Sequence, residues 1–149
     1  MLKTAVQEHA SLAFLRLDVE IFLQVDASIV GVGGTIGNRF PDGDRHCGCC
    51  SHAFTDAESR WKTIGQEAFA IIFCVMFFRP VLWGHPFLLE TDHRNLTFIH
   101  GGTSSKIVRW SLALQEFCFA IKQTPGEDNV VADVLSRNPS GPPGFRAVI

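Results

Sequence analysis

Two aspartates stand where a folded chain rarely places a charge. Asp26 follows the apolar, β-favouring run Ile21 to Val25, and Asp92 follows a similar run from Phe87 to Thr91. A carboxylate beside a core must be paired, hydrogen-bonded or bound to a metal, because desolvating an unpaired charge is costly. Both aspartates are therefore candidate ligands at the rim of a predicted sheet.

Two further acids fall on predicted helices. Glu67 lies three residues after Ile64 and four before Ile71, so the spacing directs it towards the face that packs on the sheet. A glutamate at the solvated edge of a broad apolar stripe would show the same spacing. Asp133 lies in the early turns of the last predicted helix, where the helix dipole favours a carboxylate without any metal.

Convergence of these four acids on one rim would have a chemical consequence. The carboxylates would repel one another strongly unless cations lay between them. Sites made only of carboxylates prefer hard ions such as Mg²⁺ or Mn²⁺. Two such ions about 4 Å apart clamp a phosphodiester, with one activating water and the other stabilising the leaving oxygen. The acids therefore predict metal-assisted phosphoester hydrolysis.

The elements that would position the acids follow the order β-β-β-α-β-α-α-β-α. The segment Gly31 to Gly37 reads as a second strand, residues 38–45 as a turn, and Cys47 to Phe54 as a third strand. Thr55 and Glu58 then have capping-box spacing, which predicts the start of one long helix. Its apolar stripe comprises Trp61, Ile64, Ala68, Ile71, Val75 and Phe78.

The second half of the chain contains weaker signals. A helical turn is predicted from Asn95 to Ile99, followed by a helix that Ser104 or Ser105 caps. The last strand is predicted from Phe119 to Lys122. The final helix is opened by Asp128 or Asn129, and the Pro/Gly-rich residues 138–144 read as a linker.

Composition limits the class of protein. A chain of 149 residues with 46% hydrophobic and 19% charged residues suits one α/β domain with a real core. The net charge of -2 is unlike that of a nucleic-acid binder, so such a role must rest on local patches or neighbouring domains. The longest apolar run, Ala68 to Phe78, is shorter than the about 20 residues that span a bilayer. The N-terminus lacks a secretory h-region, which predicts an intracellular, reducing setting.

Three of the five cysteines are clustered. Cys47, Cys49 and Cys50 lie between His46 and His52, which suggests a zinc knuckle. A second ligand cluster at finger-like distance is missing, and adjacent residues of a strand do not turn onto one ion. A strand with small side chains is the favoured interpretation.

Several motifs together resemble one known family, the ribonuclease H domain of reverse transcriptases encoded by Gypsy-class LTR retrotransposons and related retroelements. The motifs cover most of residues 20–137, and their order and spacing are more specific than any one of them. They are VDAS (Val25 to Ser28), FTxAExxW (Phe54 to Trp61) with Gln66-Glu67, TDHRNL (Thr91 to Leu96), RW (Arg109, Trp110) with LQEF (Leu114 to Phe117), and PGEDNVVADVLSR (Pro125 to Arg137).

The resemblance implies a ribonuclease H-like α/β fold, with a five-stranded mixed sheet of three antiparallel strands and two parallel additions flanked by helices. It implies that Asp26, Glu67, Asp92 and Asp133 bind two Mg²⁺ ions, with Mn²⁺ as a substitute. The expected enzyme is a metal-dependent endonuclease that cleaves the RNA strand of an RNA/DNA hybrid. Recognition of the 2'-OH across the minor groove would use Ser28, Gln66 and Asn95. Arg109 is the candidate phosphate contact.

The resemblance also implies a polyprotein context. Residues 1–18 would end the polymerase or connection region, residues 19–137 would form the ribonuclease H-like domain, and residues 138–149 would be a linker or disordered tail. Polymerase and integrase regions of the same polyprotein would be partners, without a membrane. The setting would be a cytoplasmic virus-like particle or the nucleus.

The resemblance leaves alternatives open. Gln123 occupies the position where many ribonucleases H have a histidine that assists product or metal departure, so slower or differently assisted turnover is expected. A non-catalytic ribonuclease H-like tether or a domesticated binding module is the main alternative to an enzyme. An integrase-like nuclease is disfavoured, because Glu67 precedes Asp92 whereas integrases place their glutamate last.

Overall fold

One mixed sheet organises the computed structural model, which describes residues 15–91, 104–124 and 130–137 and the backbone of residues 146–147. Its strands are β1 (Ile21–Ala27), β2 (Gly31–Phe40), β3 (Gly43–Ala53), β4 (Phe87–Thr91), β5 (Phe119–Gln123) and β6 (Arg146–Ala147). The strand order is β5-β4-β1-β2-β3-β6. The first three strands pair antiparallel, and β4 and β5 add in parallel beside β1. The predicted five-stranded arrangement is confirmed, and the short β6 extends it within the predicted tail.

Helices pack on both sides of this sheet. Those in the described residues are α1 (Asp56–Ser59), α2 (Thr63–Phe77), α3 (Arg79–Leu82), α4 (Ser105–Leu114) and α5 (Val130–Arg137). Helix α2 packs on β1 and β2, α4 packs on α2, and α5 packs on β1, β2 and β3. No helix within the described ranges has both the length and the apolar character needed to cross a membrane. The predicted turn from Asn95 to Ile99 lies outside the described residues.

The two faces of the sheet can be assigned from two adjacent glycines of β2. Gly34 lies opposite Val25, and a Cβ atom on Gly34 would come within 2.5 Å of the Cys74 sulfur on α2. Gly33 lies opposite Asp26, and a Cβ atom there would collide with α5. Since successive strand residues point to opposite faces, α2 covers one face and α5 covers the other.

The α2-side face forms the main hydrophobic core. Strand β1 contributes Ile21, Leu23 and Val25, which are all essentially buried. Helix α2 contributes a run of buried residues through its central turns, and Leu89 of β4 lies in the same cluster. Because successive side chains of β1 point to opposite faces, alternate residues of the strand enter this core and Asp26 points to the opposite face.

The single long helix predicted from Thr55 is wrong, because the structure divides it into α1 and α2. Thr55 and Glu58 form the predicted capping box, but α1 ends after one turn. The side-chain amide of Gln66 donates to the carbonyls of Glu58 and Ser59, satisfying acceptors that a continuous helix would have used. Trp61 therefore falls in the break and not on the stripe of α2.

Trp61 instead joins an aromatic cluster beside α2 and α4. Its ring centroid lies 5.4 Å from that of Phe69 and 5.8 Å from that of Trp110. The Lys106 ammonium lies 3.4 Å from the centroid of the Trp61 ring, a favourable cation–π arrangement. This tertiary cluster gives the break between α1 and α2 a fixed structure.

The cysteine cluster lies in strand β3, as the favoured interpretation predicted. Cys49 pairs with Thr35 and Cys50 with Gly34, so the two thiols point to opposite faces of the sheet. Burial raises the pKa of the Cys49 thiol to about 12. The Cys50 sulfur packs 3.7 Å from that of Cys74 on α2. The small side chains of β3 therefore allow close packing of helices on both faces.

Candidate active site

Asp26 is a nearly buried carboxylate at the end of β1, with 9% of its surface exposed. The Ser136 hydroxyl on α5 lies 3.4 Å from Asp26 Oδ2, within hydrogen-bond distance. The residue is on the α5-side face, as its pairing with Gly33 requires. The charge predicted at a sheet rim is therefore at that rim and in contact with a helix from the distant end of the chain.

Gly33 makes this contact possible. A Cβ atom at this position would lie 2.6 Å from both the Leu135 Cβ and the Ser136 backbone nitrogen, and 2.8 Å from the Ala132 carbonyl oxygen. Such distances are far below van der Waals contact, so only glycine allows the backbone of α5 to approach the sheet this closely. Gly33 thus sets the position of α5 beside Asp26.

Asp133 lies on the same helix, one turn before its end. Its Oδ1 accepts a hydrogen bond from Arg137 Nε at 2.8 Å, and its side chain is 38% exposed. The Asp133 backbone carbonyl lies 2.8 Å from the Ser136 hydroxyl, the same group that reaches Asp26. Ser136 therefore links the local structure around Asp133 to the carboxylate of Asp26.

The other two predicted acids are placed differently. Glu67 is half-buried on α2, which packs on β1 and β2 from the face opposite to α5. Asp92 lies outside the described residues, directly after Thr91, the buried last residue of β4. Within the described ranges, no three or more His, Cys, Asp or Glu side chains lie close enough to hold a metal ion. Assembly of the complete tetrad stays a prediction.

The donor chemistry at this rim fits a hard cation. Asp26 and Asp133 offer carboxylate oxygens, and Asp26 is held against a helix in a largely desolvated position. Mg²⁺ and Mn²⁺ prefer oxygen ligands of this type over thiols. The described part of the site therefore supplies suitable donors, although it does not by itself supply a full coordination sphere.

A family model matches more than half of the chain. Residues 16–117 match the family described as "RNase H-like domain found in reverse transcriptase". The chain belongs to this family. The match includes β1 to β4 and α1 to α4, and with them Asp26 and Glu67. The family predicted from the sequence motifs is therefore confirmed.

The curated relatives of this RNase H-like domain are much longer proteins. The chain is 34% identical over 138 residues to the retrovirus-related Pol polyprotein from transposon 412 of Drosophila melanogaster, covering 91% of this chain and 11% of that protein. It is 34% identical over 125 residues to the transposon Tf2-3 polyprotein of Schizosaccharomyces pombe, with 79% and 9% coverage. The chain spans about a tenth of the length of these relatives.

Solved structures share the RNase H-like fold at low sequence identity. The N-terminal RNase H domain of rv2228c from Mycobacterium tuberculosis, solved as a maltose-binding protein fusion, matches with a TM-score of 0.55 and 14% identity. The match covers 80% of this chain and 92% of that one. The foamy viral protease-reverse transcriptase in complex with RNA/DNA hybrid matches with a TM-score of 0.56 and 14% identity, covering 74% and 16%. The predicted fold class is confirmed.

Two of the predicted substrate contacts have structural partners in this RNase H-like domain. The Ser28 hydroxyl lies 2.7 Å from the Ser136 carbonyl, to which it donates, and it accepts from the Val30 amide at 3.2 Å. These bonds tie the β1–β2 turn to α5. Gln66 uses its amide nitrogen to join α1 to α2, as described above. Arg109 is exposed on α4, and Asn95 lies outside the described residues.

Gln123 ends the strand that pairs with β4. It is the last residue of β5 and pairs in parallel register with Thr91, which precedes Asp92. Its side chain is exposed. The residue that replaces the expected histidine therefore lies beside the strand end that leads into Asp92.

One buried ion pair was missed by the sequence reasoning. Glu90 is 2% exposed and accepts hydrogen bonds from Arg39 Nη2 and from the Thr124 hydroxyl. Arg39 also pairs with Asp44, and hydrogen bonding to Asp44 is the main reason that the pKa of Arg39 is raised. Glu90 pairs with Gln24, two residues before Asp26, so it lies on the α5-side face. The available signal was a glutamate inside the apolar run from Phe87 to Thr91.

Proposed function

We propose that this RNase H-like domain hydrolyses the RNA strand of RNA/DNA hybrids with two Mg²⁺ ions, for which Mn²⁺ substitutes. The proposed ligands are Asp26, Glu67, Asp92 and Asp133. The observation that carries the proposal is the nearly buried Asp26 carboxylate in contact with the helix that bears Asp133, within a chain of the RNase H-like family. A scaffold without catalysis has no need for a charge in that position.

The described residues have separate tasks in this mechanism. Asp26 and Asp133 provide carboxylate oxygens, and Ser136 positions the Asp26 carboxylate beside α5 through its contacts with the Asp26 side chain and the Asp133 backbone carbonyl. Gly33 keeps α5 at the sheet, so Asp26 stays in contact with the helix that bears Asp133. When bound, the two ions would promote attack of water on the phosphodiester and stabilise the charge on the leaving oxygen.

The proposed substrate is a hybrid duplex. A hybrid-bound reverse transcriptase is among the solved structures that share this fold, which supports the same substrate class here. Selectivity for RNA requires contact with the 2'-OH across the minor groove, without base readout. Arg109 is exposed and permanently charged, so it is the proposed phosphate contact. Ser28 and Gln66 would contribute through hydrogen-bonding groups not used within the fold, and Asn95 is the remaining proposed contact.

The proposed setting is a retroelement polyprotein. The relatives are polyproteins many times longer than this chain, which supports polymerase and integrase regions as partners. The net charge of -2 supports the same idea, because hybrid affinity would then depend on the neighbouring regions. Activity would take place inside the cell, in a cytoplasmic virus-like particle or in the nucleus.

The test is cleavage of a labelled RNA/DNA hybrid by the purified chain with Mg²⁺ or with a chelator. We expect cleavage of the RNA strand only with Mg²⁺, and none by an Asp92→Asn variant. A matched control is Asp18→Asn, which removes an exposed aspartate that pairs with Arg16 before β1. Cleavage that persists in chelator or in Asp92→Asn contradicts the metal mechanism, and equal cutting of duplex DNA contradicts the substrate.

The alternative is a non-catalytic tether or domesticated binding module. It predicts hybrid or protein binding that Asp92→Asn does not change, with no cleavage by the wild-type chain in Mg²⁺ or Mn²⁺. The same assay, combined with a binding measurement on the uncleaved hybrid, separates the two functions.

A further inference from the structure

Arg137 is the charged residue closest in sequence to Asp133, the proposed ligand on α5. Its Nε donates a 2.8 Å hydrogen bond to Asp133 Oδ1, and the two side chains are 64% and 38% exposed. Within α5, from Val130 to Arg137, it is the only residue with a permanent positive charge. Asp133 therefore already has a cationic partner supplied by its own helix.

The field at Arg137 includes Asp26 as well as its direct partner. Hydrogen bonding and charge interaction with Asp133 raise the pKa of the guanidinium, and the charge of Asp26 raises it further. Asp26 in turn contacts Ser136, the residue next to Arg137. The guanidinium thus bonds to one proposed metal ligand and follows, in sequence, the residue that contacts the other.

We propose that Arg137 is a built-in counter-cation that holds Asp133 in the metal-free chain and opposes the entry of a divalent cation. This inference rests on the proposed function, in which Asp26 and Asp133 bind metal. Two carboxylates at one rim repel each other, and a nearby guanidinium reduces that repulsion. A divalent ion bound to the same oxygens repels the guanidinium at short range, so metal and Arg137 compete for Asp133.

The direction in which metal affinity changes when Arg137 is removed depends on its role. If Arg137 only oriented Asp133 as a ligand, its removal would weaken metal binding. If Arg137 opposes the ion, its removal strengthens metal binding. If the pair only supports the helix, its removal lowers stability and leaves metal affinity unchanged. The direction of the change in Kd therefore separates the three roles.

The test is titration calorimetry of the full chain with MgCl₂ and with MnCl₂ at low ionic strength. We expect Arg137→Gln to bind the ions roughly three- to tenfold more tightly than wild type, as expected for removal of one nearby charge in a solvated site. Arg137→Lys keeps the charge and should bind like wild type. The difference should shrink as ionic strength rises, because both side chains are exposed.

The matched control is Arg16→Gln. It removes the same charge from another exposed arginine–aspartate pair, with Asp18, which precedes β1 whereas Asp26 lies near its end. The start of β1 lies about 17 Å from Asp26, at about 3.3 Å per residue. We expect its metal affinity to equal that of wild type, and a gain equal to that of Arg137→Gln would assign the effect to net charge and overturn the proposal.

Two further outcomes are distinguishable. Equal or weaker binding by Arg137→Gln, with wild type binding normally, overturns the role of Arg137 and leaves the proposed function standing. Absence of binding by both chains overturns the metal site itself. If Arg137→Gln does not fold, the Arg137 Nε–H resonance of the wild-type chain gives a direct measurement. It should shift on saturation with Mg²⁺, and an unchanged resonance overturns the proposal.

Discussion

The two faces of the sheet bury chemically different side chains. The α2-side face is mainly apolar, with Leu23, Val25 and Leu89 packed under α2. The α5-side face is also buried near its centre but carries Gln24, Thr35, Asp26 and Glu90. Burial of polar groups is tolerated only where each has partners, so this face depends on specific contacts, whereas the other depends on packing volume.

This contrast concerns the part of the proposed site that lies on the α5-side face, since Glu67 lies on α2. The α2 side buries mainly apolar side chains, whereas the α5 side holds the Asp26 and Glu90 carboxylates in defined positions. Arg39, Ser136 and Arg137 each contact a carboxylate on the α5 side. Loss of one such contact should therefore have an effect that depends on the charge left without its partner. The variants below compare such losses with matched changes elsewhere in the chain.

The largest effect is expected from Arg39→Met. This variant leaves the Glu90 carboxylate buried without its guanidinium partner, which typically costs about 3 kcal/mol or more. Urea unfolding monitored by circular dichroism measures the change. Arg16→Met is the control, because Arg16 and Asp18 are exposed, and it should unfold like wild type. A double variant, Arg39→Met with Glu90→Leu, should recover part of the loss. Equal stability of Arg39→Met and wild type would contradict the dependence of this face on paired charge.

A smaller effect is expected from Gly33→Ala. The new Cβ would meet Leu135, Ser136 and Ala132 of α5, and overpacking of this kind costs about 1–3 kcal/mol. Displacement of α5 should also lower hybrid cleavage. The matched variant is Gly65→Ala on α2, where the nearest atom is the Trp61 Cβ at 3.7 Å. It should be neutral or stabilising, by up to about 1 kcal/mol, since alanine favours helix. Equal effects of the two substitutions on thermal unfolding would show that α5 is not held close to the sheet.

The smallest effect concerns acid pH. Burial alone would raise the pKa of Glu58, but hydrogen bonds from the Thr55 backbone and from His52 outweigh it, and the pKa lies below the usual 4.5. The stabilisation from Glu58 is thus complete above pH 4.5 and is lost as the pH falls through its lower folded pKa. Glu58→Gln should show a shallower loss of unfolding free energy below pH 4.5, by under about 1 kcal/mol. An identical pH profile for the variant and wild type would rule out this contribution.

Local patterns in the sequence predict much of this fold. The apolar run ending at Asp26 predicted β1, and the Thr55–Glu58 spacing predicted the start of α1, because these signals depend on neighbouring residues. The end of α1 could not be predicted from neighbouring residues. It depends on Trp61 packing against Trp110, a contact between residues far apart in sequence.

The candidate site likewise combines a feature visible in the local sequence with contacts between residues far apart in sequence. The unusual position of Asp26 was visible from the sequence, whereas its contact with Ser136 joins residues 110 positions apart. The Arg39–Glu90 pair similarly spans 51 positions, and no local periodicity indicates it. Gln66 was predicted to contact substrate, but its amide nitrogen bonds to the end of α1, a partner that its own helix pattern does not show.

Metal binding by the four acids is tested most simply by a crystal structure of the full chain grown with Mg²⁺ or Mn²⁺, with the ions identified by anomalous scattering. The proposed function predicts two ions at the end of β1, bound by oxygens of Asp26, Glu67, Asp92 and Asp133. An ordered structure at high metal concentration without ions there, or with Glu67 or Asp92 directed away from Asp26, would contradict it.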